Sequence, residues 1–279
     1  MVLIIGIIYN TYDATVRFIK SLEQYGDSNI DLILVDNSEQ KSPEKFKKYI
    51  GNSPLKLMYI RCENNLGYFG GARKGLDEYR KAKALPEWII VCNVDIVFND
   101  PSFFNKLYDF KRKENLGIIA PSIISNRWNT DYNPKIPVRY SKKKLIFYKA
   151  IYSVCFIQNL YIALSYLKKM THRFKNTKTA IPDNTGREIY APHGSCIIFH
   201  RNYFEKGGTL NHISFLFGEE VFVAETALKT GLKVVYYPVL QVLDFEHASI
   251  GVFYSDKVCR LNRQSIIDII THYYTDKQS

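Results

Sequence analysis

The sequence predicts an α/β fold in which a mostly parallel sheet is flanked by helices. Two observations support this prediction. In the first half of the chain, short apolar runs alternate with stretches of helical periodicity, which is typical of parallel strands joined by crossover helices. Polar clusters also follow several of the apolar runs directly, and ligands of such folds bind beyond the carboxyl ends of the strands. The 279 residues are sufficient for one large domain of this kind.

Five apolar runs in the first half are predicted to be strands. Helical spacing of apolar residues predicts helices over 14–25 and 70–83 between them. The opening run has no basic residues before it and is too short to span a bilayer, so we expect a buried strand rather than a signal peptide. The predicted strands lie at 2–8, 32–35, 56–61, 88–92 and 117–124.

In the second half, a loop at 126–138 is followed by a basic, aromatic segment that is predicted to form one or two helices. A helix over 219–230 should end at Gly231, because glycine readily adopts the left-handed conformation that closes helices. A last helix is predicted over 255–274. Further strands are predicted at 188–190, 195–200 and 233–237.

The formal net charge of +11 is concentrated in one segment. Residues 139–178 include ten basic residues and no acidic one, so this segment alone carries +10. Such a concentration of positive charge indicates a basic surface that meets a binding partner, and it gives no information about the fold. No nucleic-acid recognition motif accompanies the charge, which disfavours DNA or RNA as that partner.

The apolar part of this segment, 145–167, is rich in Leu, Ile and Tyr and is flanked by lysines. It could be an amphipathic element that lies on anionic lipid. It could equally be a helical insertion that packs over a binding cleft or forms the face of a homodimer. A transmembrane helix is disfavoured, since Lys149, Gln158 and Asn159 interrupt the apolar run.

The cysteines are scattered, odd in number and never in C-x-x-C spacing. This pattern predicts reduced thiols in a cytoplasmic protein, with neither a disulfide framework nor a zinc site. The residues concerned are Cys62, Cys92, Cys155, Cys196 and Cys259.

Two carboxylates follow predicted strands and could act chemically. Asp36 lies in V-D-N-S, where a carboxylate can accept a hydrogen bond from the N3–H group of uracil or thymine. Its alternative role is to cap the following turn. Asp95 ends N-V-D, where it can hold a divalent cation that bridges a diphosphate and neutralises the leaving group. Its alternative role is to cap the helix expected near residue 101.

The segment 64–73, N-N-L-G-Y-F-G-G-A-R, leads into a predicted helix. Its glycines permit close backbone approach, and the unpaired N–H groups of a helix N-terminus can bind phosphate or sugar oxygens. Arg73 could add a charge-assisted contact. The alternative is an ordinary glycine-rich turn. The spacing excludes the dinucleotide fingerprint G-x-G-x-x-G.

Glu219 and Glu220 open the helix predicted at 219–230. The helix dipole by itself favours carboxylates in a first turn. In a functional role one of them would act as a general base, and at most one can face a site because adjacent helical side chains diverge by about 100°. His247, in D-F-E-H, could bind a metal or a phosphate, although an isolated histidine is more often structural.

In this order the motifs resemble those of family 2 glycosyltransferases of the GT-A fold, and most closely the rhamnosyltransferase-like subgroup that builds bacterial surface polysaccharides. The resemblance covers the chain except for about 125–185. It rests on Tyr9-Asn10, V-D-N-S at 35–38, N-x-G-x-x-G-G at 65–71, N-V-D at 93–95, H-G-S at 193–195 before Arg201, Glu219-Glu220, and His247 with Gly251.

The resemblance implies an inverting hexosyl or rhamnosyl transfer from a nucleotide-diphosphate sugar, dTDP-rhamnose or a UDP-hexose, to a glycan or lipid-linked glycan acceptor. It implies Mg²⁺ or Mn²⁺ as cofactor, held by Asp95 and His247, and Glu220 as the catalytic base with Glu219 as the alternative. The implied acceptor contacts are His193, Gly194 and Ser195. The implied donor contacts are Tyr9, Asn10, Asp36, Asn65, Gly67, Gly70, Gly71, Arg73 and Asn93.

Three positions depart from the family pattern. Asn93 replaces the first aspartate of D-x-D, Glu220 stands where aspartate is usual, and Phe222 stands where an acidic residue is frequent. The sequence also lacks the Q-x-x-R-W motif and the membrane helices of processive synthases, so transfer of a single sugar is expected.

Within one GT-A domain, the resemblance implies a nucleotide-sugar-binding half at 1–124, a basic aromatic helical insertion at 125–185, and an acceptor-binding, catalytic half at 186–279. The protein is expected in the cytoplasm or at the inner face of the plasma membrane.

Two other functions are compatible with a nucleotide-binding layout or a membrane location. A nucleotidylyltransferase is expected to have a glycine-rich loop after the first strand, where this chain has Y-N-T-Y-D. A degenerate transferase that serves as a membrane scaffold is disfavoured by the carboxylates at 95 and 219–220.

Overall fold

The computed structural model describes residues 1–26, 29–110, 115–173, 186–245 and 254–275. Within these ranges the chain forms a nine-stranded sheet that carries helices on both faces. The predicted α/β architecture is therefore confirmed.

Four parallel strands form one half of the sheet: β1 (Val2–Ile8), β2 (Ile30–Asp36), β3 (Lys56–Arg61) and β4 (Trp88–Asn93). They lie in the order β3-β2-β1-β4. Every residue of β1 and β2 is buried. Both faces of these strands are covered, which explains why they are continuous apolar runs rather than alternating ones. The first four predicted strands agree with these bounds to within two residues.

Three helices connect these strands: α1 (Tyr12–Glu23), α2 (Glu44–Gly51) and α3 (Tyr68–Ala82). α1 and α3 confirm the predicted helices. α2 has no counterpart in the prediction, since it is only eight residues long and buries only Phe46. The short helix gives too little periodicity for a pattern in the sequence to indicate it.

The other half of the sheet mixes strand directions. β8 (Cys196–His200) is antiparallel both to β4 and to β6 (Leu116–Ser125), whereas β6 is parallel to β9 (Lys233–Asp244). Two short strands, β5 (Ile96–Val97) and β7 (Arg187–Ile189), pair antiparallel with β9. The longest ladders are parallel, as predicted, and β9 continues well past its predicted end.

The remaining helices of this half are α4 (Phe103–Tyr108), α7 (Arg201–Glu205), α8 (Glu219–Lys229) and α9 (Asp256–Tyr273). α8 and α9 confirm the two helices predicted near the end of the chain. Gly231 follows α8 with a φ of 67°, which is the left-handed closure that its position predicts. α7 has five residues and gives no periodic pattern.

The basic segment contains α5 (Lys142–Ile151) and α6 (Cys155–Arg173), which confirms the prediction of one or two helices there. Leu145 of α5 joins an apolar cluster with Val221 of α8. Taken singly, none of the helices in the described ranges combines the length and the hydropathy needed to cross a membrane. α5 and the first half of α6 meet that criterion only as a pair, and they are bent by 112° relative to each other.

The prediction that all five cysteines are reduced is wrong for one pair. A disulfide joins Cys155, at the start of α6, to Cys259 in α9. The two residues are 104 positions apart in sequence, so their proximity depends on the packing of α6 on α9, which spacing along the chain cannot indicate. Cys62, Cys92 and Cys196 are free and buried.

Two apolar clusters fill the layers on either side of the sheet. Ile4 and Ile8 of β1 pack in one cluster, while Ile5 and Ile7 pack in the other. This alternation follows from the two-residue period of a strand. The buried frame therefore fixes the carboxyl ends of β1, β2 and β4 along one edge of the sheet.

Gly67, which precedes α3, has a backbone conformation that other residues rarely adopt. Its φ is 74° and its ψ is 177°, a region that is essentially restricted to glycine. A Cβ atom at this position would also overlap the carbonyl oxygen of Phe215. Both backbone strain and a steric clash would therefore oppose a side chain here.

We expect Gly67→Ala to lower the free energy of unfolding by about 3 kcal/mol or more, through strain and overlap combined. Gly26→Ala is the matched control, because Gly26 also has a positive φ, of 62°, but nothing lies within 4 Å of its Cβ position. That control should cost about 1 kcal/mol. Urea unfolding of both variants measures the difference. Equal losses would contradict a steric role for Phe215.

Candidate active site

The Asp36 carboxylate, at the end of β2, is fully buried in a hydrogen-bond network. Its Oδ2 accepts from Arg61 Nη1 at 2.7 Å and from the Tyr12 hydroxyl at 3.2 Å. Oδ2 also accepts from the Tyr59 hydroxyl, and Oδ1 accepts from the Ser38 N–H at 2.9 Å. Burial alone would raise the pKa of Asp36, but hydrogen bonds from Ser38, Tyr59 and Arg61 outweigh it and hold the pKa below its usual value. Asp36 is therefore an ionised anchor.

Arg61 is a partner of Asp36 that no motif in the sequence indicates. It ends β3 as Asp36 ends β2, and this shared position at a strand end is the pattern that could have identified it. Its guanidinium also donates to the carbonyl oxygens of Ser38 and Gln40. The ion pair thus holds the loop that follows β2. A bound nucleobase would have to displace one of these contacts to reach the carboxylate itself.

Tyr9 and Asn10 border the same loop. The Asn10 N–H group donates to the Ser38 hydroxyl at 2.7 Å, and Asn10 Oδ1 accepts from the Gln40 N–H group at 3.3 Å. The Tyr9 hydroxyl donates to Glu39 Oε1 at 3.3 Å. The structure therefore brings these two residues together with the end of β2.

The loop before α3 is held by hydrogen bonds from asparagine side chains to the backbone of Gly67. Asn65 Oδ1 accepts from the Gly67 N–H group at 2.9 Å, and Asn37 Nδ2 donates to the Gly67 carbonyl oxygen at 2.8 Å. A Cβ atom at residue 71 would lie 2.8 Å from Asn37 Nδ2, so Gly71 permits this contact. Gly67 and Gly71 thus have a structural role that joins the start of α3 to the loop after β2.

Arg73 and Gly70 lie beside a different part of the chain. Arg73 is exposed, and its Nη1 donates to Asn211 Oδ1 at 2.7 Å. Arg73, Gly70 and Leu66 line a cavity of about 240 Å³ together with residues 210–215. The observed contact of Arg73 is therefore with the segment that precedes α8 rather than with the loops after β1 and β2.

A turn at 193–195 lies where β4 meets β8. The Asn93 N–H group donates to the Ser195 carbonyl oxygen at 3.0 Å. His193 Nδ1 lies 2.9 Å from the Ser195 hydroxyl oxygen, and the His193 ring stacks on Tyr132 with centroids 5.2 Å apart. The residues predicted from H-G-S are therefore rigidly held next to Asn93.

Tyr68 links this turn to two buried carboxylates. Its hydroxyl donates to the Gly194 carbonyl oxygen at 2.7 Å. Burial raises the pKa of Tyr68, and it is raised further by nearby cysteines and then by the charges of Glu219 and Asp95. Tyr68 is thus a neutral hydroxyl within electrostatic reach of both carboxylates. In the sequence it occupies an unspecified position of the motif N-x-G-x-x-G-G, and no pattern there distinguishes it.

Glu219 and Glu220 have different surroundings. Glu219 is buried, and its Oε1 accepts from the Phe217 N–H group at 3.0 Å. Burial raises the pKa of Glu219 to about 8, with a further contribution from the charge of Glu220. Glu220 is partly exposed, and its Oε1 lies 3.3 Å from the position that a Cβ atom of residue 194 would occupy. Glu220 therefore faces the turn at 193–195, while Glu219 points into the protein.

The turn that precedes α8 is held from two sides. Phe217 and Gly218 both have a positive φ, of 70° and 83°. The Phe217 carbonyl oxygen accepts from His212 Nε2 at 2.9 Å and from the Ser265 hydroxyl at 2.7 Å. A left-handed conformation is costly for phenylalanine, and these two hydrogen bonds stabilise it. His212 and Ser265 are residues that no motif in the sequence indicates.

The described residues form no group of three or more His, Cys, Asp or Glu side chains that could hold a metal. Asp95 is buried just after β4, and a second buried carboxylate, Asp244, pairs with Ile96 in the β5–β9 ladder. Mg²⁺ and similar cations commonly bind through one or two carboxylates, with water and substrate phosphates supplying the other oxygens. Asp95 thus supplies a carboxylate of the kind that such a site uses. His247, the other predicted ligand, lies outside the described residues.

Comparison with protein families gives one match that covers most of the chain. The family described as "Glycosyl transferase family 2" matches residues 3–208. No curated protein matches the sequence.

Three of the solved structures that the comparison returns are as follows. GalNAc-T7 with UDP, GalNAc and Mn²⁺ aligns with a TM-score of 0.57 at 13% identity, covering 88% of this chain and 43% of that one. S. aureus TarS aligns with a TM-score of 0.52 at 10% identity, covering 88% of this chain and 36% of TarS. Mannosyltransferase PcManGT from Pyrobaculum calidifontis, in complex with GDP-Man and Mn²⁺, aligns with a TM-score of 0.47 at 11% identity. The alignment covers 87% of this chain and 56% of PcManGT. This chain thus spans between 36% and 56% of the length of these proteins. The first two alignments show the GT-A fold.

The surroundings of Glu219 predict a pH-dependent stability. Its pKa rises from 4.5, the ordinary value for a glutamate, to about 8 in the folded protein, so the folded protein binds the proton more tightly than the unfolded chain. The stabilisation from the protonated Glu219 carboxyl is fully present below pH 4.5, the unfolded pKa. It is lost as the pH rises through about 8, the folded pKa.

We expect Glu219→Gln to flatten the dependence of unfolding free energy on pH between 5 and 8, and to be the more stable protein at pH 8 by at least about 1 kcal/mol. Urea unfolding of the metal-free protein across this range measures it. Glu63→Gln, at an exposed position, is the control and should leave the dependence unchanged. Parallel curves for Glu219→Gln and the wild type would contradict the assignment.

Proposed function

Since this chain belongs to glycosyl transferase family 2, we propose that it moves one sugar from a nucleotide-diphosphate sugar to a glycan or lipid-linked glycan acceptor. The reaction would be a single displacement with inversion at the anomeric carbon. The observation that supports the proposal is the turn at 193–195. Glu220 Oε1 faces Gly194, and the N–H group of Asn93, two residues before Asp95, donates to the Ser195 carbonyl oxygen.

The donor would bind along the carboxyl ends of β1, β2 and β4, in the half formed by residues 1–124. Tyr9, Asn10 and the Asp36–Arg61 pair support a nucleoside site, because they border one loop that hydrogen bonds hold in place. Given that Asp36 is fully buried, its proposed role is to hold this loop in shape for the base. Further proposed donor contacts are Asn65, Gly67, Gly70, Gly71, Arg73 and Asn93.

A divalent cation, Mg²⁺ or Mn²⁺, would be held by Asp95 together with His247. When bound, it supplies positive charge to the leaving diphosphate. The solved structure of GalNAc-T7, which shares the fold, contains UDP and Mn²⁺. Asp95 is suited to this role because it is buried and follows β4, at the edge of the sheet where the donor would lie.

Glu220 is the proposed general base. Its partial exposure and its position against Gly194 leave the carboxylate accessible to an acceptor hydroxyl. It would take the proton from that hydroxyl as the oxygen attacks the anomeric carbon. Glu219 is assigned a supporting role, since its carboxylate is buried and occupied by the Phe217 N–H group.

The acceptor would contact His193, Gly194 and Ser195, in the catalytic half at 186–279, with 125–185 as a helical insertion.

The motif resemblance favours dTDP-rhamnose as donor, ahead of a UDP-hexose, and a rhamnosyltransferase-like role in surface polysaccharide synthesis. The enzyme would then act in the cytoplasm, at the inner face of the plasma membrane. The accessible Glu220 favours this function over a degenerate scaffold.

The deciding experiment measures release of nucleoside diphosphate from a panel of nucleotide sugars, with and without Mn²⁺. A glycosyltransferase releases UDP or TDP in a metal-dependent manner. A nucleotidylyltransferase would instead release inorganic diphosphate from a nucleoside triphosphate and a sugar phosphate. A scaffold would release neither, although thermal stabilisation by one donor would still reveal binding.

We expect Asp95→Ala to abolish metal-dependent donor binding, because the cation would lose its buried carboxylate. Calorimetric titration with donor in the presence and absence of Mn²⁺ measures this. Asp77→Ala, an exposed aspartate on α3, is the matched control and should bind donor normally. Undiminished, metal-dependent binding to Asp95→Ala would remove Asp95 from the site.

We expect Glu220→Gln to retain donor binding and to lower kcat by about 10²- to 10⁴-fold, the usual contribution of a general base. Glu219→Gln should keep most of the activity, because its neighbours and its buried position are preserved. Turnover and donor titration of both variants distinguish the two residues. Normal turnover by Glu220→Gln, or a larger loss in Glu219→Gln, would contradict the assignment.

A further inference from the structure

α5 and α6 present a large apolar surface to solvent. Phe147 on α5 and Phe156, Leu160 and Leu164 on α6 are between 49% and 76% exposed. Isolated apolar side chains are common at protein surfaces, but a contiguous set of this size usually marks a binding site. Further exposed members of this apolar face are Ile146, Val154 and Ile157.

α6 has the reverse of the polarity expected for a surface helix of a water-soluble domain. Gln158 is fully buried, and Asn159 exchanges two hydrogen bonds with the backbone of Tyr254, at 2.9 and 2.8 Å. Asn159 thus attaches the helix to the body of the protein, and Gln158 faces inward. Phe156 and Leu160, four residues apart, lie together on the outer side. An ordinary amphipathic helix would bury these residues and expose the polar ones.

The same two-helix element is strongly basic. Lys143, Lys144 and Lys149 of α5 are exposed, and no acidic residue occurs anywhere in 139–178. An apolar face bordered by lysines is complementary to an anionic bilayer, where the apolar side chains enter the interface and the ammonium groups meet the headgroups. A second copy of the chain would instead oppose two segments of the same charge, which is unfavourable.

We propose that α5 and the first half of α6 form a docking surface for anionic lipid and lie in the bilayer interface without crossing it. The bend of 112° between the two helices suits a flat, in-plane arrangement, because both can rest on one surface while Leu145 attaches α5 and Asn159 attaches α6 to the protein.

The docking surface adjoins the helix of the proposed base. Leu145 of α5 packs in one cluster with Val221, which follows Glu220 in α8. Tyr140 packs against the same cluster, and the Lys144 ammonium group of α5 lies 4.0 Å from the centroid of its ring. Bilayer contact would therefore place Glu220 close to the membrane plane. On the basis of the proposed function, this favours an acceptor that is itself anchored in the membrane.

Vesicle flotation tests the surface directly. We expect the full chain to float with vesicles of equimolar phosphatidylcholine and phosphatidylglycerol, and not with phosphatidylcholine alone. Raised ionic strength should weaken the binding, since it screens the lysine contribution. Failure to bind the anionic vesicles, or equal binding to both compositions, would overturn the proposal.

Variants on the two helices separate the apolar and the charged contributions. Phe156→Ser combined with Leu160→Ser should weaken partitioning by about tenfold or more, whereas Leu228→Ser, at an exposed leucine on α8, should not. Lys143→Gln with Lys149→Gln should weaken it as well, whereas Lys45→Gln with Lys48→Gln, two exposed lysines on α2, should not. Thermal melting checks that each variant is folded.

Two further measurements keep the outcomes distinct. Light scattering without lipid should give a monomer for the wild type. A dimer that dissociates on Phe156→Ser and Leu160→Ser would show that a second copy covers the face, and would overturn the lipid assignment. Donor turnover without vesicles should be the same in these variants and the wild type. If neither the wild type nor any variant turned over donor, this result would count against the proposed function alone, because lipid binding is measured separately.

Discussion

The register of β1 between its two parallel neighbours determines where every candidate residue of the donor half can lie. Ile8 pairs with Asp36 of β2, and Ile7 pairs with Asn93 of β4. A slip of one residue would turn the side chains of a strand to the opposite face and would exchange the two apolar layers. Because both layers are fully buried, such a slip is prohibitively costly. The hydrophobic core thus brings the polar strand ends together, and contacts such as the Asp36–Arg61 ion pair then join them directly.

The acidic pair at the start of α8 shows how backbone conformation divides two identical side chains into different roles. The left-handed residues Phe217 and Gly218 set the direction in which α8 begins. Glu219 then returns to the Phe217 N–H group, and Glu220, about 100° around the helix, faces Gly194. Ser265 connects this turn to α9. The accessibility of one carboxylate therefore depends on a distant helix that has no catalytic group of its own.

Much of the fold could be predicted from the sequence because buried parallel strands and long amphipathic helices leave periodic patterns. The antiparallel placement of β8 could not, since strand direction depends on connections that local patterns do not encode. The site divides in the same way. Asp36 and Asp95 lie at strand ends and could be singled out, whereas Tyr68 acquires its neighbours only through tertiary packing. The Cys155–Cys259 pair, wrongly expected to be reduced, likewise depends on two helices distant in sequence.

α9 contacts α5, α6 and α8, so one helix supports both the proposed docking surface and the helix of the proposed base. During synthesis on the ribosome, α9 is the last described helix to emerge. Until then the apolar surface of the basic segment and the helix of Glu220 have no common support. The nascent chain can therefore complete the half at 1–124 before the half at 186–279 gains the support of α9.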